Sequence, residues 1–121
     1  MEKQEATELL KKVLNNNGAE FRDGQWEAID SVANKNKKLL LVQRTGWGKS
    51  IVYFLSTKIF RDNGRGITFI ISPLLALMRN QLEAAKRIGI NAETINSTNT
   101  DDWNNVILKI RADKIDALLI S

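Results

Sequence analysis

A chain of 121 residues, 43% hydrophobic and 26% charged, is the size of one domain. It has no cysteine and no histidine, which excludes disulfides, thiolate metal sites and imidazole acid–base chemistry. Its apolar runs fall well short of the roughly 20 residues that span a bilayer, and Glu2, Lys3, Glu5, Glu8, Lys11 and Lys12 interrupt the first segment too often for a secretion signal. The expectation is a soluble, cytoplasmic chain with no membrane partner, whose formal net charge of +4 suits a polyanion without requiring one.

In chain order, Ala6, Leu9, Leu10, Val13 and Leu14 recur at helical spacing and predict an amphipathic helix. It should close at Asn15-Asn16-Asn17-Gly18, residues that tolerate the left-handed conformation. A second helix is expected after Gly24, with Trp26, Ile29, Val32 and Ala33 on one face. Asn34-Lys35-Asn36-Lys37-Lys38 reads as a loop whose lysines are either solvated or in contact with nucleic acid. Leu39 to Val42, short and uniformly apolar, predicts a buried parallel strand.

Directly after it stands Gln43-Arg44-Thr45-Gly46-Trp47-Gly48-Lys49-Ser50. A strand that ends in glycines and restarts as a helix aims backbone N–H groups, a positive helix end and one ammonium at a single point. The expected occupant is a nucleoside triphosphate, bound by Thr45, Gly46, Trp47, Gly48, Lys49 and Ser50. Gly46 and Gly48 can take positive φ and let the backbone approach phosphate oxygens. Lys49 would reach the β- and γ-phosphates as a point charge and serve the chemistry there, and the Ser50 hydroxyl would join the shell of Mg²⁺. Trp47 either folds over the loop's own helix or lies near the nucleotide. The plain structural alternative is a glycine turn between buried elements, and Gln43 departs from the small residue that the full G-x-x-x-x-G-K-[ST] pattern wants.

The helix from Lys49 to about Arg61 is apolar nearly all round, which suits a core position. Asp62 to Gly66 is a turn and Ile67 to Ile71 a second strand. Ser72-Pro73 should open a helix burying Leu74, Leu77, Met78, Leu82, Ala85 and Ile88, with Gly89 at its end. Ile90 to Ile95 reads as a third strand, Thr100-Asp101-Asp102 as the cap of a helix carrying Trp103, Val106, Ile107 and Ile110, and Asp116 to Ile120 as a fourth strand. Alternation of this kind predicts an α/β fold of three layers, a parallel sheet with helices on both faces.

Gln25, upstream of the loop, is by itself an ordinary helix-start residue, although a glutamine can bond adenine's N6 and N7 at once where guanine offers no such match. Four segments change its weight: FRDGQWEAI (21–29), QRTGWGKS (43–50), ISPLLALMRNQ (71–81) and NST (96–98). In order and spacing they resemble the first motifs of RecQ-like DNA helicases of superfamily 2. The resemblance implies a P-loop NTPase domain of RecA-like fold, ATP and Mg²⁺ as cofactors, and DNA as partner of the parent protein, single-stranded or duplex with a single-stranded tail. It implies that Gln25 recognises adenine with Arg22 against the base, and that Ser72, Arg79, Asn80 and Ser97 lie in segments running beside the DNA strand. Arg79 would touch a phosphate or remain on a solvated helix face.

The departures from that family are specific. Gly18 stands where such enzymes tend to place an aromatic that stacks on adenine, Asp23 replaces a proline, and Gln43-Arg44 replaces a small-residue or Met-Pro loop start. These residues hold no Asp-Glu-x-His or Asp-Glu-x-Asp motif, and Ala117 to Ser121 looks like the strand preceding it. The expectation is therefore the first part of a longer motor domain: residues 1–36 a helical lead-in with the adenine motif, residues 37–121 the βα units with the loop. Such a piece should bind nucleotide with little or no turnover, leave Leu39 to Val42 without its usual strand neighbours, and be prone to dimerise. Two other readings stay open, a small P-loop kinase or NTPase acting on a metabolite, and a non-catalytic nucleotide- or nucleic-acid-binding module.

Overall fold

The computed structural model describes residues 1–73 and 78–121, the side chains of 78 and 79 excepted. Helix α1, Lys3–Leu14, buries Ala6, Leu10 and Val13, and closes as expected on a left-handed Asn15 (φ 50°) whose N–H reaches the Lys11 and Lys12 carbonyls. Helix α2, Gln25–Ile29, starts after Gly24 (φ 88°) and widens into a π-type turn over Asp30–Asn34. Helix α3, Lys49–Asp62, buries residues on most of its circumference, from Ile51 and Val52 through Phe54 and Leu55 to Ile59. Its composition demanded that position.

Three strands follow the rest of the alternation: β1 (Thr68–Ile71), β2 (Ala92–Ile95) and β3 (Ala117–Ile120). They form a parallel sheet in the order β1-β3-β2, with Ile71 and Ile95 both in register with Ile120. Helix α4 covers Met78–Lys86. The expected opening of that helix, with Leu74 and Leu77, falls on residues 74–77 and lies outside the described residues, as does the side chain of Met78. Helix α5, Trp103–Arg111, is entered through a 3₁₀ turn at Thr100–Asp102. The cap predicted there is absent: neither helix entry has a side-chain cap bond, because Asp102 (φ −98°, ψ −7°) already has helical backbone rather than the extended geometry a cap needs.

Alternate residues of β3 separate the two faces of the sheet. Ala117 and Leu119 join Ile70 and the main core built from α1, α2, α3, Ala85, Ile88 and Ile90. Leu118 turns the other way, to Val106 of α5 and Ile115, flanked by Ile67, Ile95, Ile110 and Ile120. The three-layer αβα arrangement with a parallel sheet is thus present. On the α5 face, β1 stays uncovered, with Phe69 60% and Ile71 81% exposed.

Leu39 to Val42 corrects the sequence reading. The segment is not a strand and not buried: Leu40 is 88% and Val42 79% exposed, and only Leu41 packs against the main core. A parallel strand is stable only with a ladder on its edges. Among the described residues the paired strands are β1, β3 and β2, and none of them pairs with this segment, so apolarity alone does not make it a strand.

Arg61, at the end of α3, ties the sheet together. Its Nε donates to Asp116 Oδ1 (2.8 Å), its Nη2 to Asp113 Oδ1 (2.8 Å) and the Ile115 carbonyl (2.6 Å), and its Nη1 to the Arg65 carbonyl (3.1 Å). Asp116 Oδ2 accepts in turn from the Asn91 N–H at 2.7 Å. The starts of β2 and β3 are thereby pinned to the end of α3.

Candidate functional site

The glycine loop is held from the side of residues 22–25. Gln25 is 3% exposed, and its Nε2 donates to the carbonyls of Trp47 and Gly48, each at 3.2 Å. Its Oε1 accepts from the Arg22 backbone N–H at 2.7 Å. The Arg22 guanidinium donates to the Gly46 carbonyl at 2.5 Å. Three successive loop carbonyls thus face one short segment. In a trans peptide the N–H points opposite the carbonyl, and no bond here is cis, so the N–H groups of Gly48 and Lys49 turn away from Gln25.

Both loop glycines have positive φ, 87° at Gly46 and 99° at Gly48. At Gly48 the requirement is doubled, since a Cβ there would stand 2.5 Å from Gln25 Nε2. Trp47 takes the structural option. It is 6% exposed, belongs to the main core, and brings its ring within 3.6 Å of where a Cβ on Gly24 would sit. The indole anchors the loop between two glycines free to turn. Immediately afterwards the first turn of α3 offers N–H groups that have no carbonyl inside the helix to bond.

A cavity of about 370 Å³ lies against this loop, within the range of ligand pockets. Of the sequence-predicted residues it collects Arg22, Gln25, Gly46, Trp47, Gly48 and Ser50. Thr45 and Lys49 are exposed and do not line it. Its far wall was not foreseen: Val13 and Leu14 end α1, while Ala84 and Arg87 come from α4 and the turn after it. Sequence periodicity treats Leu14 as part of the buried stripe, yet it is 49% exposed. Arg87 Nη1 donates to the Val13 carbonyl at 2.7 Å, a contact across 74 positions that no local pattern announces.

The residues expected beside nucleic acid sit elsewhere. Ser72 and Ser97 follow Ile71 and Ile95, which share a register with Ile120, so both leave the sheet at its C-terminal edge. That edge is where open parallel sheets place ligands. Asn80 is exposed on α4, and the Arg79 side chain lies outside the described residues.

Exposed Ser97 is carried on a turn that Asn96 builds, and sequence reasoning missed the builders. Asn96 Oδ1 accepts from the Thr98 N–H (2.8 Å) and hydroxyl (2.5 Å), Asn99 Nδ2 donates to the Thr94 carbonyl (2.6 Å), and Trp103 Nε1 donates to the Asn96 carbonyl (3.0 Å). The spaced Asn96 and Asn99 were the available signal, as asparagine commonly folds its own backbone this way.

Among the described residues no group of three or more acidic, histidine or cysteine side chains could hold a metal, and no helix is long and apolar enough to cross a membrane. Among the described residues the side-chain oxygens lining the cavity on which a cation could rest are the half-buried Ser50 hydroxyl of the loop and, outside the loop, the exposed Glu20 carboxylate and the Gln25 amide oxygen.

Comparison with known proteins identifies the family. The family model for DEAD/DEAH box helicases matches residues 22–120. The chain is 42% identical over 81 residues to an ATP-dependent DNA helicase RecQ of Bacillus subtilis, covering 67% of this chain and 13% of that protein. It is 37% identical over 100 residues to the RecQ helicase of Haemophilus influenzae, covering 83% of this chain and 15% of the relative. A mouse ATP-dependent DNA helicase Q1 is 38% identical over 82 residues, 68% of this chain and 12% of that protein. The chain therefore spans well under a fifth of the curated relatives it matches. With the three-layer fold agreeing with these matches, the chain belongs to the DEAD/DEAH box helicase family and is RecQ-like within it.

Proposed function

We propose that this chain is the ATP-binding part of a DNA helicase motor, and that its parent protein couples ATP hydrolysis to DNA unwinding. The observation that carries this reading is the convergence of Gln25, Arg22 and the glycine loop on one cavity. The base occupies the cavity while the phosphates take the N–H groups of Gly48, Lys49 and the start of α3, neutralised by the Lys49 ammonium. Gln25 spends both amide hydrogens on the loop but only one lone pair of Oε1 on Arg22, so a second lone pair remains to accept from adenine N6. Guanine presents a carbonyl oxygen at that point and is disfavoured.

The Ser50 hydroxyl would hold a hydrated Mg²⁺, an ion that prefers to keep several of its waters. When bound, it neutralises charge on the phosphates. In a RecQ-type motor the carboxylates that activate water and the arginines that stabilise the transferring phosphoryl group come from other segments. Residues 1–121 acting alone bind nucleotide and turn it over negligibly. DNA passes the C-terminal edge of the sheet, near Ser72, Ser97, Asn80 and Arg79, through contacts to its phosphates.

Titration of the chain with ATP and GTP in the presence of Mg²⁺ tests the reading. Binding of ATP at least several-fold tighter than GTP is expected, with the preference lost in Gln25→Ala. Equal affinity for the two would favour a general P-loop NTPase. The uncovered apolar surface, with Leu40, Val42, Phe69 and Ile71 exposed, also supports self-association of the chain on its own. A single monomeric species in sedimentation at micromolar concentration would rule that out.

A further inference from the structure

We propose that Arg87 and Leu14 form the platform on which the nucleotide base rests, in place of the aromatic residue that position 18 does not supply. This rests on the reading of the cavity as a nucleotide site and adds residues from α1 and the end of α4 to it. No aromatic face serves a flat ring there: Trp47, the one aromatic among the described lining residues, is 6% exposed with its indole spent in the core, and position 18 is a glycine. Arg22, the other cation in the wall, is tethered in the same way to the Gly46 carbonyl on the loop side, so Arg87 and Leu14 serve the face of the base opposite to it.

Arg87 has the properties a platform needs. Its Nη1 is tethered to the Val13 carbonyl at 2.7 Å, one of the last carbonyls of α1. Such terminal carbonyls have no partner within their own helix, which makes them strong acceptors for a guanidinium. The tether holds the group at the cavity wall that Leu14, 49% exposed, also lines. Among the described residues the Arg87 side chain makes no other hydrogen bond or ion pair, and the residue is exposed. A planar cation stacks on any aromatic face, and an aliphatic side chain supports the ring beside it.

Stacking is tolerant of base identity, since every base has a π face. The platform therefore contributes affinity to ATP and GTP alike, and Gln25 contributes the difference between them. A further consequence concerns α4. The helix that continues the 71–81 segment becomes one wall of the nucleotide site, so nucleotide and any ligand of Asn80 press on the same element.

The test compares ATP, GTP and inorganic tripolyphosphate as ligands of the 121-residue chain in Mg²⁺, followed by isothermal titration. Arg87→Ala and Leu14→Ser should each weaken ATP and GTP by about three- to tenfold, in the same proportion, and leave tripolyphosphate unchanged. Arg87→Lys, which keeps a donor for the Val13 carbonyl but loses the plane, should behave like Arg87→Ala.

Leu14 is at the surface and its variant guards against a mere folding defect in Arg87→Ala. If wild-type chain binds all three ligands, Lys49→Ala weakens them, and neither platform variant changes ATP affinity, the platform is wrong while the nucleotide site stands. Equal loss of tripolyphosphate and ATP in Arg87→Ala, or full rescue by lysine, would also overturn it. Absence of any binding by wild-type chain would overturn the nucleotide reading itself, and the platform with it.

Discussion

Arg61→Ala is expected to lower the unfolding free energy by about 2 to 3 kcal/mol, a large part of what a domain of this size possesses. The arginine side chain is 15% exposed and Asp116 18%, so the pair is shielded from water yet not fully dry. Removing the guanidinium leaves Asp116 with the Asn91 N–H as a remaining side-chain partner, and strips the Ile115 and Arg65 carbonyls of a donor. The penalty is mainly that of a carboxylate left half-buried and underbonded.

Asp113 provides the internal comparison. Although it is the leading cause that raises the Arg61 pKa above its ordinary value, its own side chain is 79% exposed. Exposed ion pairs contribute little once water screens them, so Asp113→Asn, which removes the charge and suits the left-handed backbone there (φ 56°), should cost under about 1 kcal/mol. Urea denaturation of the two variants separates these cases. Equal and small losses would mean that Asp116 finds adequate solvation without its arginine, and that the α3 to β3 tie is decorative.

The same cluster illustrates what the chain's local patterns disclose. Periodicity is a short-range signal, and it located α1, α3, α5 and all three strands to within about two residues of their ends. Asn15 ended α1 because a left-handed residue is written locally. Arg61 meeting Asp116, or Arg87 meeting Val13, spans 55 and 74 positions and depends on how helices stack on the sheet.

Leu39 to Val42 fails for a related reason. Four apolar residues in a row report a preference for burial, but whether they become a strand depends on a neighbouring ladder that is not written in them. The candidate site divides the same way. The glycine loop was legible as a candidate because the proposed phosphate cradle needs a few residue types at fixed spacing, and Gln25 through its place in the 21–29 segment. The grip of Gln25 and Arg22 on three loop carbonyls, and the wall formed by Leu14 and Arg87, needed the fold. Trp47 was legible as an anomaly whose two explanations only burial could separate.

Lys49→Ala should weaken binding of ATP and of tripolyphosphate by about 10- to 100-fold while leaving the denaturation midpoint unchanged. Lys49 is exposed at the start of α3 and has no partner among the described residues, so folding gains nothing from its charge. On the proposed reading a triphosphate does, because the ammonium and the loop N–H groups would meet the same oxygens. Gly48→Ala next door should act oppositely, through the fold first. Its Cβ would stand 2.5 Å from the Gln25 amide, which is buried and anchored by two bonds, and alanine at φ 99° is strained in any surroundings. Together these cost about 1 to 3 kcal/mol of stability, and binding falls with the loosened grip on the loop. If Lys49→Ala binds as wild type, the loop is a glycine turn and not a phosphate site. If it loses as much stability as Gly48→Ala, the lysine belongs to the fold, and its place in a nucleotide site would have to be argued from other residues.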